Sequence, residues 1–493
     1  MLKLVIGNSR TRVLNATTQV WELLRYELSW KAGEPGNRVH QQADGSTRVR
    51  YWDGFKPLLR AGGWMPTGLV PRAGRLLAKW QVPHIFEDQR IRPHDQIPRW
   101  AKPAEPLWAH QERAVMAAYK AGRGVVDSPP RSGKTRIMAE LLRMVSAPTV
   151  ITAPTEPIAT QTYEKLLALY RDAEWTCQIG DCASDFFLLT GGVPKKLEDV
   201  RAASKALVFV ATAATAALMS PEWWARIECL MVDERHHQAA DTYHEINDLA
   251  VNAYWRWGFT GSNYRSDPGE QIALEACLGR TVASYSIADM VAVGVLVGGE
   301  VEFWPIDCSR MKTIPFAQAY KRGVVESEVR NAAVVQAVNE LLADKRRVLV
   351  LVNDIAHGNH LVDMIPGSAF VQGKDGAEVG RAVAALHSGK LQCLIGSPVV
   401  GEGLDCPAAD ALVYAKGKRA KVVHTQDTFR VLTAQPGKRP ARIVDFADRF
   451  NHHTMEHSIE RLRNYRAMGL KVSMRPQIPV DGKLEDRVLV KLT

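Results

Sequence analysis

An apolar strand that breaks into a tight loop closing on Gly-Lys-Thr leaves a chain few ways to fold. Here Val125-Val126-Asp127 runs into Ser128-Pro129-Pro130-Arg131-Ser132-Gly133-Lys134-Thr135, and Ile137, Met138, Leu141, Leu142 and Val145 follow at helical spacing. A buried strand, a loop and an amphipathic helix in that order begin a βα unit of a parallel sheet. The loop has the spacing of a phosphate cradle. Backbone N–H groups from Arg131 through Ser132, Gly133 and Thr135 would surround an anion, Lys134 would reach its outer oxygens, and the Thr135 hydroxyl would ligate Mg2+. Ser128 stands where the usual G-x-x-x-x-G-K-[ST] pattern begins with Gly, and Pro129 and Pro130 have no N–H to donate. The gripping donors come later in the loop, so the prolines leave them intact. Arg131 is the uncomfortable residue, because its position favours the freer backbone of Gly.

Composition places limits around that unit. A chain of 493 residues holds two to four domains with ample cores. The longest apolar run, Ala206 to Met219, falls short of the ~18–20 residues of a membrane span and reads as a buried strand plus turn. The opening Met-Leu-Lys-Leu-Val-Ile-Gly is too short for a signal peptide. Seven scattered cysteines, an odd number, argue for free thiols in a reducing compartment, so a cytoplasmic setting is expected. Cys177 and Cys182 have no second pair with which to hold zinc.

The net charge of +10 is unevenly placed: residues 1–100 hold sixteen Lys and Arg against eight Asp and Glu. Trp21, Trp30, Trp52, Trp64, Trp80 and Trp100 lie in the same stretch. Cations among aromatic rings suit a nucleic-acid surface, although most of these tryptophans are more simply core residues of a small α/β domain. Pro93, Pro98, Pro103 and Pro106 punctuate a linker after it. Two series of alternating strands and helices follow. Thr149–Ile151, Leu207–Val210 and Cys229–Val232 are strand candidates in the first; Arg347–Val352, Cys393–Ile395, Ala411–Val413 and Ala441–Val444 are those of the second. Such alternation means parallel sheets covered by helices. The domains expected are a basic DNA-binding domain over 1–100, a first α/β lobe over 101–305 and a second over 306–493, with a nucleotide cleft between the lobes.

About a hundred residues beyond the phosphate loop, Leu230-Met-Val-Asp233-Glu234-Arg235-His236-His237 ends an apolar strand in two carboxylates. Asp233 can hold Mg2+ through water, and Glu234 can orient and deprotonate an attacking water. With the phosphate loop upstream, this pair points to hydrolysis of ATP.

The ordered motifs resemble those of the superfamily 2 helicases, and the resemblance implies two RecA-like lobes in tandem. Asp233-Glu234-Arg235-His236 looks like the Asp-Glu-x-His box of that family, with His236 as a coupling residue and His237 a surface neighbour. Pro106-Leu-Trp-Ala-His-Gln111 resembles the segment whose glutamine reads adenine. Ala153-Pro154-Thr155, Thr190-Gly191-Gly192 and Ala211-Thr212 are similar to motifs Ia, Ib and Ic, which implies backbone contacts to nucleic acid from Pro154, Thr155, Gly191, Gly192 and Thr212. Phe259-Thr260-Gly261-Ser262 resembles motif III, which implies coupling through Thr260 and Ser262. In the second lobe, Gly396-Ser397 through Gly403-Leu404-Asp405-Cys-Pro407 resembles motif V, with Ser397 on the strand and Gly403 and Asp405 near nucleotide. Gln426-Asp-Thr-Phe-Arg430-Val-Leu-Thr433 looks like motif VI, but Phe429 replaces a glycine and Thr433 stands where a second arginine belongs.

A finer resemblance, over roughly residues 50–480, is to the UvsW-type branch-migration helicases of phages. It is carried by Trp52-Asp-Gly-Phe, Met65 to Pro71, Phe86 to Arg90, Tyr320, Gly323, Arg330-Asn331 and Asn353 to Gly358. It implies a catalytic set of Lys134, Asp233, Glu234, Gln426 and Arg430, ATP and Mg2+ as cofactors, and duplex, forked or junction DNA as partner, with no membrane and a monomer as the simplest case. His453 and His457 have helical spacing but no third ligand, so they read as a helix surface. The clusters Lys416 to Lys421 and Lys438 to Arg442 fit solvated loops or phosphate contacts equally well. Two rivals remain: a DNA-binding or annealing protein whose ATPase is weak or lost, and an RNA helicase.

Overall fold

The computed structural model describes residues 1–493 apart from 32–34, 42–46, 94–105, 173–184, 192–205, 234–239, 262–267, 307–313, 373–375, 398–405 and 476–493. The chain falls into two compact units, one of Met1–Ser128 with Gly133–Ser284 and one of Pro129–Ser132 with Tyr285–Thr493.

The first unit is built on a seven-stranded sheet. From edge to edge its strands are Phe186–Leu189, Val208–Thr212, Thr149–Ala153, Cys229–Val232, Trp255–Thr260, Arg123–Asp127 and Thr281–Ser284, with every neighbouring pair parallel. Val125, Val126, Val150, Ile151, Val208, Val210, Met231 and Val232 are fully buried. Helices cover both faces, so the strands read as unbroken apolar runs rather than alternating ones. The stretch expected as a strand plus turn from Ala206 is the strand Val208–Thr212 followed by a short helix, Ala213–Ala217.

The N-terminal domain belongs to the same unit. Its four-stranded sheet has the order Trp64–Pro66, Arg10–Leu14, Leu2–Ile6, His84–Asp88. Burial alternates along Leu2–Ile6, as a one-sided sheet requires. The inner face (Leu2, Leu4, Val13, Met65) packs on Leu24, Leu69, Ala73 and Leu77, and the same cluster takes in Ile272 and Ala276 from the helix Pro268–Leu278. The domain therefore completes its core with a helix of the first lobe. Ion pairs ring this junction: Arg10 and Arg60 reach Asp248 at 3.1 and 3.0 Å, and Arg72 Nε donates to Glu275 at 3.0 Å. Arg90 lies over Tyr254 and Arg92 over Trp255, 5.4 and 5.3 Å from the ring centres. Much of the N-terminal positive charge is thus directed at the chain's own first lobe. Trp21, Trp30 and Trp80 pack on the domain core, whereas Trp64 is 40% exposed with Arg12 above it.

The second unit repeats the first. Its strands run Ser368–Val371, Cys393–Gly396, Val348–Leu351, Ala411–Tyr414, Ala441–Asp448, Gly299–Ile306, Lys471–Met474, again all parallel. Numbered by their order along the chain, both sheets read 3-4-2-5-6-1-7. This duplication is invisible as a sequence repeat. Gly299–Ile306 pairs with Ala441–Asp448, so this strand, which a boundary at residue 305 would leave in the first lobe, opens the second.

Several residues that carry the finer family resemblance form the buried frame of this unit. Arg330 donates to Asp448 at 2.8 Å with both side chains fully buried, and Arg461 pairs with Asp445 at 3.0 Å. The Tyr320 hydroxyl donates to the Lys416 carbonyl at 2.8 Å, and His357 Nε2 bonds the Asn331 amide oxygen at 2.9 Å. Gly323 and Gly358 lie so close to the rings of Phe450 and Phe370 that no Cβ would fit.

Two outcomes follow from this packing. At Gly68 an added Cβ would collide with the carbonyls of Glu275 and Ala276. Gly68→Ala should therefore cost about 3 kcal/mol at the junction of the N-terminal domain, and a denaturation midpoint equal to wild type would contradict that close approach. Burial, with the Arg330 charge nearby, pulls the His357 imidazole down to about 3. An unfolded histidine titrates near 6.5. Between those values the unfolded chain binds a proton that the folded one refuses, so stability falls as pH drops from ~6.5 toward 3. Wild type should lose denaturant resistance between pH 7.5 and 5.5, and His357→Asn should lose less; parallel curves would remove His357 from this account.

Candidate functional site

In a parallel sheet every strand delivers its carboxyl end to the same edge. In the first unit the residues singled out from sequence gather along that edge in two groups, sorted by strand order. Lys134 follows the strand Arg123–Asp127, Thr260 ends Trp255–Thr260, and Asp233 follows Cys229–Val232. These three strands are adjacent, so the phosphate loop and Asp233 are separated by two interstrand steps, about 10 Å. Pro154 and Thr155 follow Thr149–Ala153, Thr212 ends Val208–Thr212, and Gly191 comes just after Phe186–Leu189. Those strands fill the other half of the sheet. The candidates for nucleotide and for nucleic acid thus lie side by side on one edge.

The loop itself has the form of an anion cradle. Arg131 and Gly133 both take left-handed backbone, at φ 72° and 84°. The strain expected at Arg131 is therefore real, since a side chain there costs about 1–2 kcal/mol relative to the right-handed region. Gly133 is required twice over, because a Cβ would also strike the Gln111 amide. Gln111 is buried, and its Oε1 accepts the Trp108 N–H at 3.1 Å, which fixes the amide beside the loop. The helix Lys134–Val145 starts directly after Gly133 with no side-chain cap and no acidic residue in its first turn. Its leading N–H groups and positive dipole end suit a phosphate. Lys134 Nζ donates to the Ser128 carbonyl at 3.4 Å, curled back over the loop. Ser132 is buried, and Thr135, on the first turn of the helix, is half-buried. These residues fit a nucleoside triphosphate, with Thr135 and Asp233 as the oxygen ligands for Mg2+.

Two contacts tie this group together, and neither was legible in the sequence. The Thr162 hydroxyl donates to Asp233 Oδ2 at 3.1 Å, both groups being buried. Thr162 lies on the helix Glu156–Asp172 that follows Pro154-Thr155, so one hydroxyl joins the half of the edge that holds the nucleic-acid candidates to the candidate Mg2+ ligand Asp233. The Ser128 N–H donates to the Thr260 carbonyl at 2.9 Å and locks the start of the phosphate loop to the motif III strand. At the other group, Thr212 caps the helix Ala213–Ala217 by accepting from the Thr215 N–H, and Thr190 donates to Glu156 at 3.3 Å. Glu234, His236 and Ser262 lie outside the described residues, as do Gly192, Gly403 and Asp405.

In the second unit Gln426 and Arg430 stand four residues apart on the helix Lys421–Leu432, hence on one face. Arg430 is 6% exposed, with its Nε 3.4 Å from Asp427. Burial pulls the Arg430 guanidinium below its ordinary range, and Asp427 counters that shift. Asp427 in turn holds Lys416 at 2.7 Å, with both side chains buried. Phe429 is a core residue, and the Thr433 hydroxyl donates back to the Phe429 carbonyl at 3.3 Å. Ser397, 2% exposed, follows the strand Cys393–Gly396, which occupies in this sheet the place that Val208–Thr212 occupies in the other. Ser397 is thus the topological counterpart of Thr212. His457, read from sequence as a helix-surface residue, is instead 9% exposed and packed on the Phe316 ring at 4.8 Å.

Comparison with known proteins agrees with this arrangement. Residues 104–264 match the family described as Type III restriction enzyme, res subunit. A protein of Halobacterium salinarum described as "Putative DNA 3'-5' helicase Rad25" is 25% identical over 384 residues, covering 74% of this chain. The chain spans 58% of the length of that relative. The ATP-dependent Type ISP restriction-modification enzyme LlaBIII, solved bound to DNA, shares the fold with a TM-score of 0.55 at 13% identity, over 82% of this chain and 34% of that one. The structure of T4 UvsW aligns over 96% of this chain and 99% of its own, with 18% identity and a TM-score of 0.46. The motifs resemble those of the superfamily 2 helicases, and the two-sheet fold is shared with LlaBIII. Among the described residues no helix is long and apolar enough to cross a membrane.

The Thr162 contact generates a test. Thr162→Val keeps the shape of the side chain and removes the bond to Asp233, so the Mg2+ concentration for half-maximal ATP turnover should rise about tenfold. An unchanged Mg2+ dependence would show that this hydroxyl does not hold the carboxylate in place.

Proposed function

We propose that this chain is an ATP-driven DNA translocase that remodels branched or forked duplexes. The observation that supports it best is the divided carboxyl edge of the first sheet, where the phosphate loop, Asp233 and a row of backbone-gripping candidates share one rigid element. Mg-ATP, when bound, supplies the free energy of phosphoryl transfer to water. Lys134 and the N–H groups from Arg131 to Thr135 would hold the phosphates, while Thr135 and Asp233 would ligate the metal ion. Glu234 would orient the attacking water and take its proton. Gln426 and Arg430 would complete the site from the second unit, with Gly403 and Asp405 approaching the nucleotide. His236, Thr260 and Ser262 would pass the change in phosphate state to Pro154, Thr155, Gly191, Gly192 and Thr212, and Ser397 would grip the same strand. The Ser128–Thr260 bond supports that route, because it ties the start of the loop to the end of the strand Trp255–Thr260. DNA, rather than RNA, is supported by the description of the Halobacterium relative and by the DNA-bound state of LlaBIII.

A second reading is supported by the state of motif VI. Arg430 is buried and held by Asp427, and no second arginine follows at Thr433. On that reading the chain binds or anneals DNA with little turnover. ATPase rates on single-stranded, duplex, forked and four-way DNA, with RNA as comparison, separate the readings. The translocase predicts DNA-stimulated turnover that Lys134→Ala or Glu234→Gln reduces to background. Turnover that survives either substitution, or a wild type that hydrolyses nothing with any substrate, would refute it.

A further inference from the structure

In the second unit Asp427 holds Arg430 in a different way from the carboxylates that hold Arg330 and Arg461. Arg330 engages both oxygens of Asp448, through Nε at 2.8 Å and Nη2 at 3.4 Å. Arg461 engages both oxygens of Asp445, with Nε at 3.2 and 3.0 Å and Nη2 at 3.0 Å. Two-pronged pairs of this kind fix the plane of a guanidinium as well as its charge. At Asp427 the two oxygens are divided between two cations. Oδ1 lies 3.4 Å from Arg430 Nε, one turn along the same helix, whereas Oδ2 accepts from Lys416 Nζ at 2.7 Å. The shorter contact belongs to the lysine.

The frame of the unit puts Lys416 there. Read from sequence as the first of a basic loop cluster, it is 1% exposed. Its carbonyl accepts from the Tyr320 hydroxyl at 2.8 Å and from Asn353 Nδ2 at 3.2 Å. The Ala415 carbonyl just before it accepts from Arg330 Nη1 at 3.0 Å. With its main chain pinned, the lysine delivers its ammonium to Asp427. Stability does not call for this arrangement, because a buried ion pair adds little net free energy. Its consequence is geometric: while Lys416 occupies Oδ2, Asp427 cannot close on Arg430 with both oxygens.

We propose that Lys416 is a positioning residue for ATP hydrolysis, which acts through Asp427 to keep Arg430 from being locked into a two-pronged structural pair. The proposal rests on the ATPase reading above, in which Arg430 meets the transferring phosphoryl group, and adds the residues that govern it. A guanidinium clamped like those of Arg330 and Arg461 suits the frame of a fold. One that must meet charge developing on phosphate has to be aimed without being neutralised. A single contact at Nε, the nitrogen nearest the helix, aims the side chain, and Lys416 keeps that contact single. The device matters more in this chain because Thr433 stands where a second arginine would share the work.

The test follows ATP hydrolysis by the full chain, with and without duplex DNA. Lys416→Met keeps the apolar stem and removes the ammonium, so Asp427 can close on Arg430. Its kcat should fall about tenfold while KM for ATP stays within about twofold of wild type, because the loss falls on the transition state. The double variant Lys416→Met, Asp427→Asn keeps both shapes and removes the clamp, so its kcat should return to within about threefold of wild type. Lys416→Gln, which can still donate to Oδ2, should lie between wild type and Lys416→Met. If circular dichroism shows Lys416→Met unfolded, Lys416→Gln with and without Asp427→Asn carries the same comparison. A merely structural lysine predicts the reverse order, with the double variant no better than the single one. Wild-type kcat in the single variant, or no recovery in the double, would overturn this role of Lys416 and leave the ATPase reading intact. A wild type that hydrolyses no ATP under either condition would overturn both.

Discussion

Parallel strand pairing is the constraint on which the rest of this molecule depends. It forces every strand in a sheet to finish at the same edge, and the loops that follow must meet there. Strand order then decides which loops are neighbours. In the first sheet the order places the phosphate loop beside the motif III strand and one further step from Asp233. Three of the remaining four strands lead into the residues singled out as nucleic-acid candidates. A site of this kind needs no inserted domain to join its halves. It needs only bonds that cross the edge, and Thr162 to Asp233 and Ser128 to Thr260 are two such bonds.

The second unit uses the same topology but is held by different means. Buried charge, rather than an anion cradle, organises its core: Arg330 with Asp448, Arg461 with Asp445, Lys416 with Asp427. Such pairs contribute little net stability, yet removing one partner leaves a bare charge in the interior at a cost of about 3–5 kcal/mol. Their value is in specifying a single arrangement of the helices that flank the sheet. Asp427 belongs at once to this frame and to the motif VI helix, since it holds Lys416 on one side and Arg430 on the other. The orientation of Arg430 is therefore set by the core of its own unit.

Charge in the N-terminal domain serves a purpose that composition does not show. Arginines facing the first lobe meet Asp248, Glu275 and a set of aromatic rings, and they dock the domain beside a shared apolar core. A count of positive charge does not reveal this; the partner of each residue does.

The strand–loop–helix around Lys134 could be read from sequence because all its parts are local: an apolar run, a loop of fixed spacing and a helical period lie within twenty-one residues. The strands near Ile151, Val210, Met231, Leu349 and Val413 were legible for the same reason, since a buried parallel strand is a short apolar run. The strain at Arg131 was legible too, because backbone preference belongs to the residue itself. What lay beyond reach depends on residues far apart in the chain. Thr162 meets Asp233 across 71 positions and Arg330 meets Asp448 across 118, and neither residue type signals its partner. The identical order of the two sheets left no sequence repeat, because a parallel strand asks only for apolar bulk, which many sequences supply. Sequence by itself determined the elements and the chemistry each could offer. Tertiary structure alone decided which of them are neighbours, since strand order and side-chain pairing are settled by packing across distances that local pattern does not encode.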